Sequence, residues 1–253
     1  MELEHKERGA DSKAARQPRA SWHSKYKVVW WLAMVVFAKI VNAHPHQFKS
    51  GEHFKILHNV VRPSLPEEKI TPKDQSGLTS GNLKSTEKPQ VIIFFNYGCY
   101  GCWVLNKDMK PWQEQHQTKI DFQYCPVVHN SLWEKLARFY YVNKALLPSQ
   151  VEDEVFSSIH NQRRKLWLEA EMINFYTEKK ISAENFLQKY KSFDVDRKIQ
   201  KAKEAANAYE INVTPNIIVN ANQKSYMVNL AMVPNLETLF KVIEFIIKEN
   251  PNS

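Results

Sequence analysis

Glycine is scarce in this chain, at 6 of 253 residues. Barrels and sandwiches with many tight turns need more, so the shortage disfavours them and fits a helix-rich fold. Cysteine is scarcer still: Cys99, Cys102 and Cys125 are the whole supply, which narrows any cysteine chemistry to few partners. Long apolar runs are also missing. VVWWLAMVVFA, at 28–38, has eleven residues, short of the roughly 20 that a comfortable membrane span needs. Charge of one sign is concentrated only at the start. The formal net charge is +8, and residues 1–27 hold seven Lys or Arg against four acids. Beyond His44 no block of like charge stands out, so nucleic-acid binding is not expected. What is present is a core: 43% apolar and 12% aromatic residues exclude a disordered chain.

The basic tail, the short apolar run and the small-residue exit VNA before His44 together read as a bacterial secretory signal with a long leader. Lys39 interrupts the run and could snorkel to an interface, which keeps an uncleaved anchor open. A buried core helix is the bland alternative, but the adjacent Trp30 and Trp31 and the uniform apolarity argue against it. Signal or anchor, the positive flank stays inside and the remainder is exported, where disulfides can form. His44, His46, His53 and His58 cluster near the expected mature start and read as a solvated segment rather than a metal site.

Along the exported part, GEHFKILHNVVR (51–62) alternates enough for a strand. Residues 63–89 collect four prolines, two glycines and many polar residues and read as a flexible loop. PQVIIFFNY is a buried strand by its continuous apolar run. CYGCWVLNKDM starts a helix, and Pro111 suits the first turn of a second segment. TKIDFQYCPVV puts Ile120, Phe122 and Tyr124 on one face of another strand. Residues 131–208 are almost wholly helical, with Asp194 as a candidate cap of the last helix. Trp133, Phe139, Tyr140 and Trp167 fall at helical spacing and read as core. NVTPNIIVN and KSYMVN flank a turn at 221–223 and form a hairpin, and a final helix can be capped by Asn235.

The chemistry is concentrated in VIIFFNYGCYGCW, residues 91–103. A Cys-x-x-Cys between a buried strand and a helix places its first thiol beside unpaired backbone N–H groups and the positive end of the helix dipole. That lowers the thiol pKa and populates thiolate near neutral pH. Cys99 is then the exposed nucleophile, and Cys102, one turn further in, the more buried resolving thiol. Two rivals stay open. Cys99, Cys102, Cys125 and His129 make a C-x2-C…C-x3-H set that could hold tetrahedral zinc, although zinc knuckles usually sit in short polar turns. The pair could also be a structural staple. Cys125 reads as a small buried hydrophobe, with an intermolecular disulfide as the alternative.

The chain resembles the DsbA-type thiol:disulfide interchange proteins of bacteria, on IIFFNYGCYGC, YCPVVHNSLWEKLARFYYVNKAL and SFDVDRKIQKAKEAANAYEINVTPNIIVN. The resemblance covers roughly residues 48–249. It implies an α/β thioredoxin fold with an inserted helical domain: a leader at 1–43, a first strand within 44–62, the loop 63–89, a Cys-x-x-Cys part at 90–130, the insertion at 131–193 and a C-terminal part at 194–250. It implies catalysis by Cys99 and Cys102 as a redox-active disulfide with no cofactor and no metal. Thr214–Pro215 is expected to be cis, with Thr214, Pro215, Tyr100 and Gly101 meeting the substrate. Its partners would be unfolded or reduced exported proteins and a membrane quinone-linked reoxidase of the DsbB type, in the periplasm. The chain departs from that pattern in four places, one of them the added long loop 63–89. Tyr100–Gly101 stands where the best-known oxidases have Pro-His, and Ile93 replaces the family's usual buried acid. Thr214 is more typical of the isomerase branch. An isomerase or reductase is therefore one alternative and a non-catalytic binding or chaperone module another. Isomerases usually need a dimerisation domain, and none is expected before this fold.

Overall fold

The computed structural model describes residues 48–66, 88–147 and 151–249, all within one compact unit, Phe48–Ser253. The leader, His44, His46 and most of the 63–89 loop lie outside the described residues. β1 (Lys55–Leu57), β2 (Gln90–Phe95), β3 (Asp121–Pro126), β4 (Asn216–Ala221) and β5 (Lys224–Asn229) make one sheet in the order β1-β5-β4-β2-β3. β2 and β3 run parallel, and the other pairings are antiparallel. Helix α1 (Tyr100–His116) is the crossover between β2 and β3. α2 (Ser131–Leu146), α3 (Glu152–His160), α4 (Glu169–Glu178) and α5 (Ala183–Tyr190) follow β3, α6 (Phe193–Ala208) returns the chain to the sheet, and α7 (Leu236–Glu249) ends it. This is an α/β thioredoxin fold with a helical insertion.

β2 is apolar without alternation because it is the second strand from one edge and helices cover both its faces: Val91 to Phe95 are all buried. β4 beside it is buried throughout, so Asn220 needs partners. Asn220 Nδ2 donates to Gln90 Oε1 at 2.8 Å and to the Tyr209 hydroxyl at 3.0 Å, while its Oδ1 accepts from Ser225 at 2.7 Å. The β4–β5 hairpin turns through Asn222 and Gln223, at φ 49° and 63°, which is the two-residue turn whose twist matches the strands.

Three local expectations are corrected. The first strand shrinks to three residues, because Gly51 (φ 86°) and Asn59 (φ 59°) turn the chain on either side. α1 runs through Pro111 instead of restarting there. Pro111 is exposed, while Cys102, Leu105, Met109 and Trp112 form an unbroken buried seam. That seam holds both halves of the helix on the sheet despite the backbone bond that proline removes. The cap of α6 is Ser192, whose side chain accepts from Val195 N, and Asp194 sits in the first turn. Asn235 does cap α7, accepting from Thr238 N at 2.8 Å.

The insertion shares the core with the catalytic part. Tyr97, just after β2, packs its ring against Phe139 and Tyr140 of α2 and Phe156 of α3 at 5.1–6.5 Å. Phe139 continues to Phe175 and Tyr176, and Tyr176 to Phe186. Each fully buried ring of this kind contributes about 1.5–3 kcal/mol, enough to fasten the helices to the strand that presents the cysteines. Trp133 and Trp167 are half-buried against the same core.

Candidate active site

The end of β2 and the start of α1 present the two cysteines, and Asn96 shapes the step between them. Its buried amide donates to the carbonyls of Val127 (3.0 Å) and Trp133 (3.2 Å), and its Oδ1 accepts from Gly98 N at 3.0 Å. The Cys99 N–H donates to Asn96 O at 3.0 Å. One residue thus ties the active-site loop to β3 and α2. Sequence reasoning missed it, although a polar residue ending a buried apolar run is a visible signal.

Cys99 is the N-cap of α1. Its backbone is extended (φ −87°, ψ 117°) and its Sγ accepts from Cys102 N at 3.3 Å. A sulfur takes the place of the usual oxygen cap at the positive end of the helix. With all three cysteines as thiols, Cys99 is pulled down to about 6. The Cys102 thiol hydrogen bond is the main cause, opposed by burial and joined by Thr214 and the backbone N–H groups of Cys102 and Gly101. Cys102 is buried and pushed far above the ordinary thiol range, by burial first and then by the neighbouring Cys99. Beneath it lies a small cavity walled by Ile93, Phe95, Leu105 and Met109. Ile93 thus presents a hydrocarbon to the thiol.

The loop before β4 forms the opposite wall. Thr214–Pro215 is a cis peptide. The Cys99 thiol donates to Thr214 O at 3.4 Å. A Cβ added at Gly101 would come within 3.1 Å of Pro215 Cδ, so glycine is what lets the helix start lie against the proline. Cys99, Cys102, Gly101, Thr214 and Pro215 are therefore together. Tyr100 lies elsewhere: it is 65% exposed and stands edge-on to Trp103 at 5.4 Å and to His160 at 6.0 Å. His160 is a second neighbour the sequence reading missed, because only the fold brings the end of α3 to the start of α1.

The structure does not assemble the zinc set. The fully buried Cys125 thiol faces Ala202 O across 4.0 Å, and the His129 ring packs on Trp133. Among the described residues no three His, Cys, Asp or Glu side chains converge.

A thioredoxin sheet carrying a helix-start Cys-x-x-Cys, with one thiol lowered and one raised across from a cis-proline, defines a protein built for thiol–disulfide exchange. Residues 102–241 match the DSBA-like thioredoxin domain, and the chain belongs to that family. Relatives include the thiol:disulfide interchange protein DsbA of Pseudomonas aeruginosa, 26% identical over 64% of this chain and 76% of its own length. The DsbA of Burkholderia cepacia is 22% identical over 86% of this chain and 93% of its own length. In three dimensions the chain is similar to the crystal structure of Pseudomonas aeruginosa DsbA, with 23% identity, a TM-score of 0.64, and coverage of 80% of this chain and 94% of that one. Reduced DsbA1 from Neisseria meningitidis overlays with a TM-score of 0.59 at 20% identity, covering 81% of this chain and 96% of that one. The protein is a thiol:disulfide oxidoreductase of the DsbA family.

Proposed function

We propose that this protein donates its Cys99–Cys102 disulfide to reduced, unfolded exported proteins in the periplasm. A substrate thiolate attacks Cys99 Sγ, the Cys99–Cys102 bond breaks and Cys102 leaves as thiolate, taking a proton. A second substrate thiolate then attacks the substrate sulfur of the mixed disulfide, and Cys99 leaves as the thiolate its surroundings favour. The substrate gains a disulfide, and the pair takes up two electrons. No cofactor enters, because the two sulfurs carry both electrons. Alternatively Cys102 attacks Cys99 and releases a stalled substrate. In this scheme Thr214 offers backbone hydrogen bonds to an extended chain beside Cys99, Pro215 and Gly101 set the wall it slides along, and Tyr100 meets it from the other side. A membrane quinone-linked oxidase of the DsbB type restores the disulfide. The N-terminal leader, cleaved or kept as an anchor, provides the export.

The observation that carries this reading is the opposed tuning of the pair: Cys99 lowered and capping the helix, Cys102 raised beneath it. The test is the reduction potential of residues 44–253, equilibrated against glutathione and read as a two-dalton mass change, alongside oxidation of a reduced two-cysteine substrate. Stoichiometric oxidation lost in Cys99→Ala supports the donor. A potential near about −270 mV would move it to the reductants, the direction that Thr214 and the uncharged Tyr100–Gly101 favour. Substrate binding unchanged in Cys99→Ala, with no exchange in the parent, would make it a binding module.

A further inference from the structure

We infer that the outer face of α1, with the end of α3, forms a cationic aromatic ledge that selects substrate cysteines accompanied by a carboxylate; this rests on the oxidoreductase reading above. Tyr100, Trp103 and Lys107 follow Cys99 by one, four and eight residues. At about 100° per residue the three fall within roughly a quarter turn of one another on α1. Each is placed by a contact. His160 Nε2 donates to Tyr97 O at 2.9 Å, which fixes its ring parallel to Trp103, 5.2 Å away with 9° between the planes. Tyr100 closes on both rings edge-on. The Lys107 ammonium stands 4.3 Å from the centre of the Trp103 ring. Among the described residues Lys107 forms no ion pair, whereas Lys110, one turn on, is taken by Asp153 at 3.0 Å. The exposed Tyr100 ring and the half-buried Trp103 and His160 rings, with an ammonium free of ion pairs among the described residues at the far end, thus lead away from Cys99.

The span matches an extended peptide. Eight helical residues advance about 12 Å, and an extended chain covers that in three or four residues at about 3.3 Å each. A substrate cysteine bonded to Cys99 would lay its second neighbour over Trp103 and its third or fourth beside Lys107. The side chain that complements that position is aspartate or glutamate. Being solvent-exposed, the attraction is worth a small factor and is screened by salt.

The test uses two synthetic peptides with one cysteine each, bearing Glu or Gln at the third and fourth positions on both sides. Their attack on the oxidised protein is followed by stopped flow and normalised to thiolate concentration, since acidic flanks raise a thiol's own pKa. The Glu peptide is expected to react about threefold faster at low ionic strength, the size of an exposed ion pair, with the advantage lost near about 0.5 M salt. Lys107→Met removes the preference and Lys107→Arg keeps it. Equal rates for the two peptides, or a preference that survives Lys107→Met, overturns the ledge. Failure of either peptide to form a mixed disulfide with Cys99 overturns instead the oxidoreductase reading beneath it.

Discussion

Alkylation of the reduced protein across a range of pH tests the asymmetry on which the exchange depends. With Cys99 at about 6, roughly nine-tenths of it is thiolate at pH 7, against a few per cent for an ordinary thiol near about 8.5. Cys102 is buried and raised, so iodoacetamide should report Cys99 alone, with a single midpoint near about 6. A lowered thiol pKa favours the reduced state above the ordinary thiol range, and that preference is lost as pH falls through the lowered value. At pH 7 it amounts to about one decade of ionisation, or about 30 mV toward a more oxidising pair. Cys99 is half-exposed, so solvent screening makes this an upper bound. Thioredoxin and DsbA differ by about 150 mV, and ionisation of Cys99 spans about a fifth of that gap. Tyr100 and Gly101 bring no cation, so the potential is expected between about −270 and −120 mV. An alkylation midpoint above about 8 would refute the cap-and-thiol account of the site.

Cys102→Ala removes the internal escape route and should accumulate mixed disulfides with substrates, visible as high-mass bands on non-reducing gels; their absence would deny Cys102 the resolving role. Gly101→Ala places a Cβ 3.1 Å from Pro215 Cδ and should cost about 1 kcal/mol by urea unfolding, with slower exchange; an unchanged midpoint and rate would mean that helix and proline do not constrain each other. Asn96→Ala orphans the Gly98 N–H and the buried Val127 carbonyl, removes a bond to the half-buried Trp133 carbonyl and should lose about 2–4 kcal/mol, again by urea unfolding. Full stability in that variant would rule out Asn96 as the tie between loop, β3 and α2.

The strands and helices were legible where burial is periodic or continuous. VIIFF could be little else than a covered strand, and the β4–β5 turn followed from its sequence position. Legibility failed where distant contacts overrule local signals. Pro111 reads as a break, yet a seam from Cys102 to Trp112 holds α1 together. The 51–62 alternation promised a full strand, yet two positive-φ residues leave three paired positions. At the site, the cysteine pair and its order of burial were readable from the strand–helix boundary. Gly101 was visible as a residue without charge, but that it leaves room for Pro215, 114 positions on in the sequence, is a property of the fold.

The opposed tuning of the two thiols follows from a single turn of helix. Cys99 stands outside the first turn, where its sulfur is held down first by the Cys102 thiol and then by N–H groups that the helix cannot use. Cys102 stands inside, over Ile93 and Phe95, where hydrocarbon offers a charge nothing. Charged dipeptide side chains are not needed to create that difference; they would only enlarge it. The asymmetry therefore survives the replacement by Tyr100–Gly101, and what the dipeptide changes is the surface offered to a substrate. Tyr100 extends that surface toward Trp103 and His160, and Gly101 draws the helix onto Pro215. The residues that set the direction of exchange and those that choose its substrates are thus separable, and substitutions at Lys107 should move selectivity while leaving the Cys99 alkylation midpoint where it is.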